Sequence, residues 1–77
     1  MILQMIDDKE TAKLVSDLML DCGRRIDESI AIAEKKCTPE EFRVYRRAAG
    51  KIMGSILLEV LNPLYVAHAD LKPSGMK

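Results

Sequence analysis

The stretch Cys37-Thr38-Pro39-Glu40-Glu41-Phe42 decides the fold of this chain. Thr38 is placed to accept from the backbone N–H of Glu41, while the Glu41 carboxylate reaches back to the N–H of Thr38, the reciprocal capping box that starts a helix. Pro39 falls at the first helical position, where its missing N–H costs nothing and its fixed φ suits the helix. Cys37 and Phe42 occupy the two positions of a hydrophobic staple. Proline also disfavours helical φ/ψ in the residue before it, so a helix arriving from the N-terminal side stops at Lys36 or Cys37. The chain turns here, and a connection this short makes the two helices antiparallel neighbours.

Upstream of the turn, at ~100° per residue, Val15, Leu18, Cys22, Ile26, Ser29, Ile30, Ala33 and Cys37 share one arc, with Met19 beside them. Lys13, Asp17, Asp21, Arg24, Asp27, Glu28, Glu34 and Lys35 lie opposite. The pattern predicts an amphipathic helix over residues 8–36, roughly 42 Å long. Asp7 is placed to cap it and Glu10 to close the box; Leu20 and Ile32 fall off the stripe. Before it, MILQMI (residues 1–6) is an apolar arm expected to pack on something.

Downstream, helix two is expected over residues 39–61. Its first half sets Phe42, Tyr45, Ala49, Ile52, Met53 and Ile56 against a basic face of Arg43, Arg46, Arg47 and Lys51. In the second half Leu57, Leu58 and Leu61 project on the basic side while Ile56 and Val60 continue the apolar one. On an ideal α-helix this half is apolar nearly all round, so a two-helix hairpin covers only part of it. Gly50 and Gly54 stand four apart, suiting a close helix crossing. Asn62-Pro63 is expected to end or kink the helix at Leu61 and to start a short one over 63–69. Lys72-Pro73-Ser74-Gly75 has the composition of a flexible tail, residues 72–77.

Composition agrees with an all-α fold. Nearly half of the 77 residues are apolar but only Phe42, Tyr45 and Tyr65 are aromatic, leaving Ile, Leu, Val, Met and Ala to build the core. One small domain spanning residues 1–77 is the most this length supports, in the range where a core commonly needs a partner, a metal or a disulfide. With 12 basic and 12 acidic residues, no net field draws the whole molecule to nucleic acid or an acidic membrane. No apolar run approaches the ~20 residues that cross a bilayer, and a cytoplasmic location is expected. Cys22 and Cys37 stand ~22 Å apart on one helix, beyond disulfide reach. With His68 as the only histidine and no close-spaced Cys pair, no metal or cofactor site is expected.

Two polar groupings remain. Arg43, Arg46, Arg47 and Lys51 line one face over two turns and suit phosphates, or the acidic face of helix one. Tyr65, His68 and Asp70 form the one cluster with acid–base capability, and Tyr65 and His68 share a face at three-residue spacing. No nucleophile stands beside a base, so no catalytic residue is assigned.

The resulting expectation is an antiparallel helical hairpin of two long helices with a short C-terminal helix, two copies forming a four-helix bundle. Gly50, Met53, Gly54, Leu57, Leu58, Leu61 and Leu64 are the expected partner-covered set. The expected function is that of a small self-associating protein–protein interaction module of adaptor, immunity or regulatory type, working as a homodimer or on an unidentified protein. The alternatives are nucleic-acid binding through the basic face and a small helical enzyme with its site at a dimer cleft.

Overall fold

In the computed structural model the described residues are 5–73, and they are all-helical, with no strand among them. The order is α1 (Lys9–Lys36), α2 (Pro39–Ser55), a π-helical turn (Ile56–Leu61), α3 (Asn62–Ala67) and a 3₁₀ turn (Ala69–Leu71). Residues 1–4 of the arm and 74–77 of the tail lie outside the described residues.

The capping box forms as its residue types require. Glu41 N–H donates to Thr38 Oγ1 at 3.2 Å and Thr38 N–H donates to Glu41 Oε1 at 2.9 Å. Cys37 and Thr38 are both extended, and the hairpin reverses there. At the start of α1 the cap is Asp8 rather than Asp7. Asp8 Oδ2 accepts from Thr11 N–H at 2.9 Å and from Thr11 Oγ1 at 2.7 Å, so Thr11 takes the place expected of Glu10. Those two bonds hold the Asp8 carboxyl below its ordinary pKa.

The helix that begins at Pro39 does not end at Leu61. Asn62 has helical φ and ψ and caps nothing with its side chain, and the chain stays helical to Ala67. Pro63 is tolerated because the turn before it is wide. Asn62 N–H donates to Leu57 O, five residues back, and a π turn of this kind makes room where the proline ring would otherwise strike the preceding turn. His68 leaves the helix, so the short helix expected over 63–69 is displaced to Asn62–Ala67.

The π turn also explains the apparent two-sidedness of this region. Relative to an α-helix it inserts about one residue, which turns everything downstream back by roughly 100°. Leu61 and Tyr65 thereby move from the basic side onto the face shared by Phe42, Ala49 and Met53, and Leu64 is buried beside them. Leu61 and Leu64 are buried inside this chain, at 3% and 0% exposure. They leave the expected partner-covered set because the chain itself covers them.

On α1 the inward stripe is Ala12, Ser16, Met19, Gly23, Ile26, Ile30 and Ala33, rotated from the expected one. Leu18 is exposed and Leu20 half-buried, the reverse of expectation, and Cys37 is exposed while Cys22 is half-buried. The alternating fours and threes of this stripe are the heptad spacing of bundle packing. Its first two residues, Ala12 and Ser16, are small and buried, and Tyr65 approaches Ser16 there. Among the described residues the only buried ones are Ala12, Ser16, Ala49, Leu61, Leu64 and Tyr65.

The interior is therefore very small. A radius of gyration near 11–12 Å is usual for this length, and the chain has 15.0 Å, with extents of 47 × 25 × 20 Å.

Candidate interaction face

One broad side of the hairpin is organised around a bond between its helices. Ser29 Oγ lies 2.5 Å from Tyr45 OH. The single serine proton is donated to Ile26 O at 2.6 Å, so the tyrosine hydroxyl is the donor across the hairpin. Ser29 belongs to a second heptad stripe on α1, Leu18, Cys22, Arg25, Ser29, Ile32 and Lys36, which adjoins the inward stripe. Tyr45 belongs to a matching row on α2 with Val44, Ala48 and Ile52. An open groove of about 520 Å³ runs between the rows near the turn, lined by Ser29, Ile32, Ala33, Lys36, Cys37, Glu41 and Tyr45.

This face is apolar where a solvated face would be charged. Leu14 (70% exposed), Leu18, Ile32, Val44 (71%) and Ile52 all stand in solvent. Arg25 interrupts the row, but its Nε turns to Asp21 Oδ2 at 3.1 Å on the rim, so only its stem lies over the face. Charges collect along the two outer edges. The α1 edge carries Asp17, Asp21, Arg24, Glu28 and Lys35; the α2 edge carries Glu40, Arg47 and Lys51.

On the α1 edge Arg24 bridges Asp21 at 2.6 Å and Glu28 at 2.7 Å. Its hydrogen bond pulls the Asp21 carboxyl below the ordinary range, and the two carboxylates raise the Arg24 guanidinium in turn. On α2, Arg43, Arg46, Arg47 and Lys51 are all exposed and make no ion pair with another described residue.

The opposite side of the hairpin has a smaller groove of about 340 Å³ beside the π turn, lined by Met19, Leu20, Gly23, Met53, Gly54, Ile56, Leu57 and Leu61. Of the residues expected to meet a partner, Met53, Gly54 and Leu57 line this groove. Gly50 is exposed on α2 and Leu58 on the π turn. A Cβ on Gly50 or Gly54 would meet nothing within 4 Å.

Tyr65, His68 and Asp70 do not converge on one another. Tyr65 OH sits 2.5 Å from Ser16 Oγ in the interior, His68 Nε2 lies 2.7 Å from Ile6 O, and Asp70 pairs with Lys9. Each ties the end of the chain to the start of α1 or to the segment before it. The Lys9 ammonium holds the Asp70 carboxyl below its usual pKa. Among the described residues no three His, Cys, Asp or Glu side chains cluster to hold a metal ion, and no helix is long and apolar enough to cross a membrane.

Comparison with family models, with curated proteins and with solved structures gives no match. The face must be read from its own chemistry. Sequence reasoning missed Val44 and Leu14 as parts of it. The signal available was the second heptad row beside the first, which widens the apolar arc of α1 beyond what one partner helix covers.

Proposed function

We propose that this chain is a protein–protein interaction module that works as a homodimer in the cytoplasm, two hairpins closing into a four-helix bundle. One observation carries the reading. A compact folded chain of its mass exposes about 4,700 Å², whereas this one exposes 6103 Å². The excess of about 1,400 Å² exceeds the ~800 Å² that each partner contributes to a standard interface, and approaches what obligate dimers bury. The six buried residues among those described are a weak basis for an isolated fold, and a partner that covers Leu18, Ile32, Val44 and Ile52 supplies the missing core.

The test is the solution mass across a concentration series, by sedimentation or light scattering. A species of twice the chain mass that persists to low micromolar concentration is expected. A folded monomer at every concentration would remove the reading.

A second reading rests on the basic face, because Arg43, Arg46, Arg47 and Lys51 are exposed without ion-pair partners among the described residues. Such a row suits a phosphate backbone. Retention on DNA or RNA at low salt, lost steeply as salt rises, is the expected behaviour; no retention at low salt would end it.

A further inference from the structure

We infer that the two copies are related by a two-fold axis running along the helices, so that α1 of each chain lies over α2 of the other, with Ile32 meeting the partner's Val44 at the turn end of the apolar face. The inference rests on the dimer proposed above and adds which face is covered and how the copies are oriented.

The argument comes from the charges on the edges. The Ser29–Tyr45 bond sets the relative height of the two helices: positions equally far from the Cys37–Thr38 turn stand level. Lys35 is level with Glu40, and Glu28 with Arg47, while Lys51 is level with Arg24, whose charge Asp21 and Glu28 already balance. At the two heights nearest the turn the α1 edge therefore reads plus then minus, and the α2 edge minus then plus.

Within one chain these edges point away from each other, and no ion pair joins Lys35 to Glu40, Glu28 to Arg47 or Asp21 to Lys51. Face-to-face packing of two hairpins has two simple symmetric solutions. An axis along the helices preserves height and brings the α1 edge of one copy beside the α2 edge of the other. Both level pairs, Lys35 with Glu40 and Glu28 with Arg47, then carry opposite charges, twice over. An axis across the helices instead lays α1 on α1 and α2 on α2, which sets Asp21 and Glu28 against acids and Arg47 and Lys51 against each other. Opposed like charges disfavour that arrangement, and the complementary rim selects the first. Asp21 and Glu28 already hold Arg24, but each carboxylate has lone pairs free to accept from a second cation.

The experiment uses the full-length chain. Glu28→Arg and Arg47→Glu are exposed substitutions that leave the interior untouched, with helicity by circular dichroism as the check on folding. Each alone should raise the dimer dissociation constant about 5- to 30-fold at low salt, because two contacts per dimer turn from attraction to repulsion. The double variant restores opposite charges at both contacts and should recover near-original affinity. A wild-type dimer whose affinity is unchanged or increased by the single substitutions would overturn this arrangement while leaving self-association intact. A wild-type chain that is monomeric throughout would overturn both proposals.

Discussion

Ser16 on α1 and Tyr65 on α3 are 49 positions apart in sequence, and their hydroxyls sit 2.5 Å from each other in the interior. Both residues are almost wholly withdrawn from water, and among the described residues the bond is the only polar contact in a core otherwise made of alanine and leucine. It pins the last helix to the first. Removing the phenol oxygen in Tyr65→Phe costs about 1–2 kcal/mol, because the serine hydroxyl is left inside without that partner. Thermal unfolding at one fixed chain concentration checks this, and Ser16→Ala combined with Tyr65→Phe should cost less than the two single changes added together.

Leu64 and Leu58 lie on either side of the re-phasing produced by the π turn. Leu64 has no exposed surface, and Leu64→Ala should cost about 2–5 kcal/mol and leave the chain largely unfolded at 37 °C. Leu58 is 65% exposed, and Leu58→Ala should stay within about 0.5 kcal/mol. Denaturant midpoints of the two variants decide it.

Thr38→Ala removes the acceptor for Glu41 N–H and one half of the capping box at the turn. The expected loss is about 1 kcal/mol, or about 4–8 °C in unfolding midpoint for a chain this size. Serine at the same position keeps the acceptor and should retain most of the stability. Equal melting of the alanine and wild-type chains would show that the turn is held by the helix contacts alone.

Asp70 and Lys9 give the fold an acid-sensitive tie. The pair depresses the folded-state pKa of Asp70, so its stabilising contribution is complete above the unfolded carboxyl value and is lost as pH falls through the folded one. Asp70→Asn should therefore lower the unfolding midpoint near neutral pH, and the difference from wild type should shrink as pH falls through the lowered carboxyl value and the wild-type group takes up its proton. Added salt should shrink the neutral-pH difference, since both groups are on the surface.

Gly50→Ala and Gly54→Ala test the close-crossing role that their spacing suggests. An added methyl at either position meets open space within the chain. Each substitution should therefore raise stability, by up to about 1 kcal/mol, through helix propensity and a less flexible unfolded chain. A loss of stability or of dimer at either position would place a second helix against that side of α2, away from the face of Ile32 and Val44.

The hairpin was legible in the sequence because its determinants are local. Thr38, Pro39 and Glu41 act within one turn of backbone, and the period of apolar residues from Ala12 to Ala33 and from Phe42 to Met53 reports helices independently of what they touch. The rotation of those helices was less legible. Two heptad rows lie side by side on α1, and nothing in the spacing says which one meets α2, so Leu18 and Leu20 exchanged places. Tertiary structure alone decided the path after Ser55. Whether Pro63 ends a helix or is absorbed by a wide turn depends on what is gained by swinging Leu61 and Tyr65 inward, and that gain exists only with α1 on the facing side, where Ser16 receives Tyr65 and Met19 and Gly23 stand beside Leu61. The same long-range packing separated Tyr65, His68 and Asp70, whose proximity in sequence suggested a shared site, because each found its partner at the far end of the chain.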